Sequence, residues 1–432
     1  MSIFFSILVF FGIFFSSCAS KYQKEKIPIY DIQHLRQIPY IYTRKIQGIS
    51  YKKQRYLKNE LLWQYFHPWN IKRSTYTLKE ATWGNVYSHM NVYSENLRPI
   101  SKEWFKKVIR NANYSKFNTL KKKAITINDS YLKVFPSIEK IFLDPKKDGE
   151  GFPFDYNQNS AIKINTPVFI THLSKDKLWA FVESSVALGW VPMKDLAYVN
   201  SKFIKSFENK DYYICLKDNT KIYKNGYLQS SVSMGTILPR AKYHRGFIVA
   251  GKNYKNKAYV KIIDFSKNFK KLGIKFDYSN IRKISNQLIG RKYGWGGILG
   301  NRDCSSTMKD FFAPFGIFLP RNSKSQKNIG KVYDVSHLSN EEKSKFILKH
   351  AIPFKTLVYL KGHIMLYVGS KNSEPLVMHD MWGVKLLKNG KVFRKIVGKT
   401  VVSTLHPGSE LDNYYNKDSI LSKVLSINIV DE

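Results

Sequence analysis

The spacing of hydrophobic and polar positions changes repeatedly along the chain. Residues 1–17 are almost wholly apolar, and the polar, basic stretch 21–58 shows no periodicity, so we expect it to be a tether with little structure. The aromatic run 61–69 follows and is closed by Pro68. Beyond it, Ser101 should cap a helix with one apolar face. The pattern therefore predicts a small α-rich unit behind a tether.

From residue 123 onward, short segments alternate between apolar and polar positions. Segments 168–170, 179–182 and 189–192 are separated by turn-rich pieces such as Asp144-Pro145. Short strands at this spacing predict a small closed barrel. The run 212–262 repeats the same style more loosely, and we expect a second barrel there.

After about residue 277 the period becomes helical again. We expect Ser279 to cap one helix and a second helix to start at about Cys304. Segments 356–360, 363–368 and 376–378 then alternate as strands. Helices followed by an antiparallel sheet predict an α+β domain. The predicted units are an apolar leader at 1–17, a tether and α-rich segment at 18–122, a first barrel at 123–200, a second barrel at 201–276 and the α+β domain at 277–432.

Composition supports a folded protein with several domains. The chain has 432 residues, of which 43% are hydrophobic and 15% aromatic, which is enough for more than one packed core. The formal net charge of +39 suggests a polyanionic partner such as nucleic acid, an acidic membrane surface or a wall polymer. However, lysine is spread along the whole chain, and Asn, Ile, Tyr and Phe are also frequent. We therefore favour a solvated basic surface that follows from an AT-rich genome over a dedicated site for an anionic partner.

The N-terminal apolar stretch predicts an exported protein. It is too short to span a bilayer comfortably, which fits the core of a signal peptide. Small residues stand directly before Cys18, as a lipoprotein processing site requires, so we expect Cys18 to carry a lipid in the cell envelope or periplasm. Two features argue against lipidation, since no basic residue precedes the apolar run and Phe15 stands where a smaller residue is usual.

Cysteine usage leaves one thiol in a position suited to catalysis. The chain has three cysteines, Cys18, Cys215 and Cys304, far fewer than a disulfide-stapled secreted domain carries. Cys304 follows a turn and opens a predicted helix. The partial positive charge of a helix N-terminus favours the thiolate, which is the nucleophilic form.

Two histidines lie on strands that follow Cys304. We expect the strands starting at His363 and ending at His379 to form a hairpin centred on Lys371. His363 and His379 would then be direct cross-strand neighbours on one face, with Cβ atoms about 5 Å apart. One imidazole could take the thiol proton while the other orients it.

The residue types alone also allow roles unrelated to catalysis for Cys304, His363 and His379. A cysteine at a helix start is commonly a small buried apolar residue, and a strand histidine commonly has a structural role. The three could also bind zinc, although the short paired ligand spacings of zinc sites are absent.

Four ordered motifs nevertheless resemble a known family. These motifs are Tyr293-Gly294-Trp295-Gly296-Gly297, Asp303-Cys304-Ser305, the run 362–369 around His363, and Val377-Met378-His379. Their order and separations are similar to those of the NlpC-type murein endopeptidases, which are papain-like cysteine peptidases. The resemblance implies a papain-like α+β catalytic domain that needs neither metal nor cofactor.

The resemblance also implies roles for individual residues. Cys304 would attack the carbonyl, His363 would be the base, and His379 would orient His363. Tyr293 would help to hold the oxyanion or nucleophile, while Asp303 and Ser305 would line the substrate pocket. Two departures are visible: the gap between the histidines is longer than usual, with 371–375 as the apparent extension, and Ser306 replaces a common glycine.

The resemblance extends to the regions before the catalytic domain. Segments 151–158, 174–183 and 189–191 look like the bacterial SH3-like domain that precedes certain members, which carry a stabilising segment and two such barrels. In these members the first barrel closes one end of the cleft and favours stems with a free N-terminal L-Ala. Asp155, Tyr156 and Glu183 are candidates for that closing wall, although structural roles in turns and barrel packing would account for them equally well.

The leading hypothesis is a monomeric enzyme that hydrolyses the γ-D-glutamyl–diaminopimelate bond of peptidoglycan stem peptides. The alternative is a catalytically inactive wall-binding protein that uses its barrels. A nucleic-acid binder, suggested only by charge, conflicts with export and with the absence of a recognised binding motif.

Overall fold

The computed structural model describes residues 29–415 and 419–432. The protein is multidomain, with an α-rich N-terminal segment, two β-rich units and a C-terminal α+β domain, named the catalytic domain below for the role that the resemblance implies. The predicted leader and Cys18 lie outside the described residues. The α-helices are α1 Tyr30–His34, α2 Tyr51–Asn70, α3 Leu78–Ala81, α4 Lys102–Ala112, α5 Ser201–Phe207, α6 Tyr278–Leu288, α7 Cys304–Phe312, α8 Ser323–Gln326, α9 Asn340–His350 and α10 Ile420–Lys423.

The expectation of an unstructured tether as far as residue 58 is wrong for the part that the structure describes. Helix α1 and a 3-10 turn at Pro39–Tyr42 contact the catalytic domain, and α2 already begins at Tyr51. Pro68 lies inside α2 and does not close it. In the last turn proline removes only one backbone hydrogen bond, and burial of Phe66 and Trp69 against the second β-rich unit holds that turn in place.

The first barrel is a single antiparallel sheet of seven strands in the order β3-β2-β6-β5-β4-β1-β7. Alternate residues along it fill one core that includes Ile170, Val182 and Val191. Helix α4, capped by Ser101 as the sequence predicts, packs near its edge. The strands are β1 Lys122–Thr126, β2 Ser130–Lys133, β3 Gln158–Ile162, β4 Pro167–Leu173, β5 Trp179–Ser184, β6 Leu188–Pro192 and β7 Leu196–Tyr198.

The second barrel is less continuous than the first. Its seven strands form three small sheets around a core that contains Cys215, Phe247 and Phe269. Hairpin β9–β10 is largely exposed, with Tyr227 at its turn. The strands are β8 Tyr212–Cys215, β9 Thr220–Lys224, β10 Tyr227–Val232, β11 Ile237–Pro239, β12 Gly246–Lys252, β13 Ala258–Asp264 and β14 Phe269–Lys271.

The catalytic domain packs α6 and α7 against one face of a six-stranded antiparallel sheet in the order β15-β20-β16-β17-β18-β19. Its first helix is capped by Asp277, whose side chain accepts from the Asn280 amide, and not by Ser279 as expected. The strands are β15 Lys331–Asp334, β16 Thr356–Leu360, β17 His363–Lys371, β18 Glu374–Lys388, β19 Lys391–Ser403 and β20 Val424–Ile429.

The hairpin of β17 and β18 differs in register from the expected one. Its two-residue turn is Asn372-Ser373, both with positive φ, and Val368, earlier in β17, forms a bulge. Leu366 lies opposite Met378, so His379 falls opposite Met365 and is a diagonal, not a direct, neighbour of His363. Without the bulge, His379 would point to the other face, because a one-residue slip inverts side-chain direction.

Close packing joins the first barrel to the loop before α7. Gly297 has φ of +83°, and a Cβ there would lie 2.5 Å from the Cβ of Ala161. The Gln158 side chain donates to the Gly296 carbonyl at 2.9 Å. Within 29–415 and 419–432, no helix combines the length and apolarity needed to cross a membrane.

Candidate active site

The thiol of Cys304 lies at the first residue of α7, as the sequence predicts. Asp303 caps the helix by accepting from the Ser306 amide at 2.9 Å. Cys304 is 8% exposed and packs in the core between α7 and the sheet. Ile364 of β17 packs in the same core, and its backbone amide lies close enough to the sulfur to act on the pKa of the thiol. The thiol therefore lies beside the start of β17, where His363 stands.

The surroundings of Cys304 oppose a resting thiolate. Burial, followed by the negative charge of Asp303, raises the pKa of Cys304 to about 12, although the Ile364 amide acts in the opposite direction. The expectation that the helix N-terminus would by itself favour thiolate omitted this burial. The nucleophile therefore needs a base that removes its proton during the reaction.

The two predicted histidines are joined by a hydrogen bond. His363 Nε2 and His379 Nδ1 are 2.8 Å apart, and His379 Nε2 lies 3.0 Å from Ser403 Oγ. Burial lowers the pKa of His363 to about 4, and burial together with the nearby His363 lowers the pKa of His379 well below its ordinary value. Both rings are therefore neutral at pH 7, and His363 can act as a base.

Tyr293 lies near Cys304, between the first barrel and β18. Its ring contacts Phe154 of the first barrel and Trp382 of β18, with centroids 5.8 and 5.5 Å away. Burial raises the pKa of Tyr293 well above 10, and the neighbouring Cys304 and acidic groups add to that shift. The hydroxyl consequently stays protonated and remains a hydrogen-bond donor.

Asp303 and Ser305 are held in place by Arg321, a residue that the sequence motifs did not identify. The Arg321 guanidinium donates to both Asp303 oxygens, at 3.1 and 2.6 Å, and to Ser305 Oγ at 2.8 Å. Its Nε donates to Ser160 Oγ of the first barrel at 2.7 Å. We name this chain of contacts the first-barrel link. The only sequence signal was a lone arginine after the apolar run 315–320.

The carboxyl group of Asp303 remains ionised in this environment. Burial alone would raise its pKa, but the charge and hydrogen bonds of Arg321 and the helix-capping bonds from Ser306 hold the pKa below its usual value. Asp303 thus keeps a negative charge near Cys304 while it organises the loop and α7.

Two of the three residues proposed for the closing wall have structural partners instead. Asp155 is fully buried, accepts from the Ile141 and Asn157 amides and pairs with Lys133. Glu183 is 2% exposed and accepts from Ser74 and Thr75 of the α-rich segment. These bonds explain the burial of both carboxylates without a substrate role, because Asp155 organises the first barrel and Glu183 joins that barrel to the α-rich segment.

Tyr156 lies closer to the site. Its ring contacts Trp295, two residues after Tyr293, with centroids 5.7 Å apart. It is half-buried, and burial raises the pKa of its hydroxyl. A role in the wall therefore stays a prediction for Tyr156 alone of the three.

A second buried ion network joins Arg302, just before α7, to Asp310 in the second turn of that helix. Arg302 donates in a bidentate manner to Asp218 of the second barrel, at 2.8 and 2.7 Å, and to Asp310 at 2.7 Å. Lys163 of the first barrel also pairs with Asp310. This second-barrel link, from Asp218 through Arg302 to Asp310, borders a cavity of about 360 Å³ between the domains.

The other thiol that the structure describes, Cys215, lies outside the candidate site, and the described residues form no zinc site. Cys215 is fully buried in the second barrel, and its thiol donates to the Lys217 carbonyl at 3.2 Å. Burial raises the pKa of Cys215 above its usual value. Among the described residues, no three His, Cys, Asp or Glu side chains gather as a metal site.

Comparison with family models assigns three parts of the chain. Residues 7–117 match the NLPC_P60 stabilising domain, residues 140–192 match an SH3 domain of the SH3b1 type, and residues 290–404 match the NlpC/P60 family. The last match contains Cys304, His363 and His379. No curated protein matches the sequence.

A solved structure resembles nearly the whole chain. An NlpC/P60 endopeptidase from Photobacterium damselae subsp. piscicida is 25% identical, with a TM-score of 0.85 over 94% of this chain and 98% of that chain. An NlpC/P60 family protein from Bacillus cereus ATCC 10987 is 15% identical, with a TM-score of 0.47 over 72% of this chain and 100% of that chain. The chain therefore carries a stabilising domain, an SH3 domain and, at residues 290–404, an NlpC/P60 domain, whose family comprises peptidoglycan hydrolases that are cysteine peptidases.

Proposed function

We propose that this protein hydrolyses the bond between γ-D-glutamate and diaminopimelate in peptidoglycan stem peptides, with Cys304 as the nucleophile. One observation carries the proposal: a buried thiol opens α7 beside two hydrogen-bonded neutral histidines. A general base next to a protonated thiol is the arrangement that acyl transfer requires.

The proposed reaction begins with proton transfer from Cys304 to the free nitrogen of His363. The thiolate attacks the γ-carbonyl of D-glutamate, and the amine of diaminopimelate leaves with the proton from His363. Water then attacks the thioester, giving up its proton to His363, and the thiol is restored. The Cys304 amide, at a helix start where N–H groups have no intrahelical acceptor, and the Tyr293 hydroxyl are the proposed donors to the oxyanion.

We further propose a preference for short stems with a free N-terminal L-Ala. The first-barrel link supports this preference, because Ser160 and Arg321 bring the barrel against the residues of the substrate pocket. A barrel at that position limits the length of chain that can extend past D-glutamate. The charge of Asp303 would attract the terminal ammonium, and Ser305 offers a hydroxyl in the same corner.

Export and lipidation of Cys18 are part of the proposal but rest on the sequence alone. They would place a monomeric enzyme in the cell envelope, where its substrate is found. The basic charge could then assist contact with anionic lipid or wall polymer.

Mass spectrometry of reaction products tests the activity. The protein is incubated separately with purified sacculi and with free L-Ala-γ-D-Glu-diaminopimelate, and Cys304→Ala serves as the control. Release of L-Ala-D-Glu from the free tripeptide alone supports the proposed activity and preference. Cleavage of sacculi refutes the preference, and no cleavage of either substrate by folded protein favours the inactive wall-binding alternative.

A further inference from the structure

The hydroxyl of Ser403 can form hydrogen bonds with both the Thr404 carbonyl and His379 Nε2 in only one donor–acceptor arrangement. It donates to the Thr404 carbonyl at 2.6 Å, and its oxygen lies 3.0 Å from His379 Nε2. A serine hydroxyl has a single proton, so the oxygen must accept from His379. His379 Nε2 therefore carries the proton.

This assignment determines the proton positions on both rings. A neutral imidazole protonated at Nε2 has a lone pair on Nδ1. His379 Nδ1 consequently accepts from His363 Nε2, 2.8 Å away. Neutral His363 then has its lone pair on Nδ1, the nitrogen that remains to take the Cys304 proton. We name His363, His379 and Ser403 the histidine relay.

Ser403 is itself held by the N-terminal segment, across more than 360 residues of sequence. Asp31 of α1 accepts from both the amide and the hydroxyl of Thr404, at 2.8 and 2.6 Å. Gln37 exchanges two hydrogen bonds with the backbone of Val402, at 2.8 and 3.1 Å. These residues fix the backbone on each side of Ser403, and we name Asp31 and Gln37 the N-terminal clamp.

We propose that Ser403 is a positioning residue that selects the productive tautomer of the catalytic histidines, and that the N-terminal clamp holds it in position. The inference rests on the proposed function for its catalytic consequence. Without the Ser403 acceptor, His379 can move its proton to Nδ1 and donate to His363 Nε2. His363 would then carry its own proton on Nδ1, facing the thiol, and could not accept another.

Ser403→Ala tests the relay by two independent measurements. In full-length protein with ¹⁵N-labelled histidine, wild type should show Nε2–H tautomers for His363 and His379, and the variant should show Nδ1–H. Its kcat on the tripeptide should fall about 10-fold, which is a common effect of removing a residue that orients a functional group through a hydrogen bond. Its KM should stay within about twofold of the wild-type value. Ser426→Ala is the matched control, because Ser426 is a buried serine of the same sheet whose hydroxyl has no partner among the described residues.

The tautomers decide the relay even if wild type proves inactive, which would refute the proposed function only. Unchanged tautomers in Ser403→Ala overturn the relay, as does an unchanged kcat in active protein. If Ser403→Ala does not fold, Ser403→Cys replaces it, since a thiol of similar shape is a weak acceptor. It should show the same tautomer change, and wild-type tautomers in it overturn the relay.

The clamp is tested at Asp31. Asp31→Ala should lower kcat about threefold to 10-fold and shift part of the His379 population to Nδ1–H. Asp31→Asn should restore both readouts, because an amide oxygen can accept the same two bonds. Wild-type kcat and tautomers in Asp31→Ala overturn the clamp while leaving the relay intact.

Discussion

The first barrel reaches the nucleophile end of α7 through Ser160 and Arg321, whereas the second barrel reaches Asp310, in the second turn of the same helix, through Asp218 and Arg302. Both links use an arginine that is nearly buried and paired with aspartate. The first link ends on Asp303 and Ser305, which adjoin Cys304. The second link ends on Asp310, two turns away from the thiol.

This difference shows that two chemically similar ion networks can serve different purposes. A buried ion pair contributes little net stability, but breaking one partner leaves an uncompensated charge. Damage to the second-barrel link should therefore appear as lost stability. Damage to the first-barrel link should appear as lost stability together with lost activity, because the group left unpaired belongs to the site.

The largest expected effect follows from removing the thiol of Cys304, whose two neighbours in sequence are held by the first-barrel link. Cys304→Ala should lower kcat/KM at least about 10³-fold, because the other thiol that the structure describes, Cys215, is buried in the second barrel and cannot replace it. Its thermal midpoint should stay near that of wild type. Cys215→Ala in the second barrel is the control and should keep activity while losing some stability to a small cavity. Activity in Cys304→Ala would refute the assignment of the nucleophile.

Breaking the first-barrel link should give the next largest loss. Arg321→Met should lower kcat/KM about 10²-fold, because Asp303 and Ser305 would lose the group that positions them. It should also lower the free energy of unfolding by about 3–5 kcal/mol, because Asp303 is left buried without its charged partner. Steady-state kinetics and urea unfolding measure the two effects. Ser160→Ala, which removes one bond to Arg321, should lose only about 1 kcal/mol. Wild-type kinetics in Arg321→Met would show that the link is structural only.

Breaking the second-barrel link should affect stability alone. Asp218→Asn should lower the unfolding free energy by about 1–3 kcal/mol, because Arg302 loses a charge-assisted bidentate partner but keeps Asp310. The kcat/KM of folded protein should remain within about twofold of wild type. A larger kinetic loss would mean that both barrels support the site equally.

The smallest effect is expected from pH. Because burial lowers the pKa of His363 to about 4, the base stays neutral down to that pH, and kcat/KM should change by less than about twofold between pH 8 and pH 5. Its acid limb should lie near pH 4 and not near 6.5, the ordinary value for histidine. A limb near pH 6.5 would contradict the buried geometry.

The pH dependence of the free energy of unfolding has to be measured as a control for the pH profile of kcat/KM. The pKa of His172, in the first barrel, is also lowered by burial to about 4. A histidine whose pKa is lower in the folded state makes the unfolded state bind more protons, so its effect is to reduce stability as pH falls from about 6.5 towards 4. Circular dichroism at each pH separates this unfolding from titration of the base.

Local sequence predicted the elements that local interactions control. The Ser101 cap, the start of α7 at Cys304 and the short strands of the first barrel follow from capping and two-residue periodicity. The Ser279 cap was wrong because Asp277, two residues earlier, is an equally good capping residue. The tether was wrong because segment 29–42 gains its structure from contacts with the catalytic domain and not from its own periodicity.

The sequence by itself determined which chemistry was available: a thiol at a helix start, two strand histidines and an ordered set of motifs around them. Only the tertiary structure decided how these groups meet. The bulge at Val368 returns His379 to the face of His363, and burial sets the protonation of Cys304 and both rings. The fold also brings residues from distant segments against the site, namely Arg321, Ser403 and Asp31. No local pattern of hydrophobic and polar residues encodes such contacts.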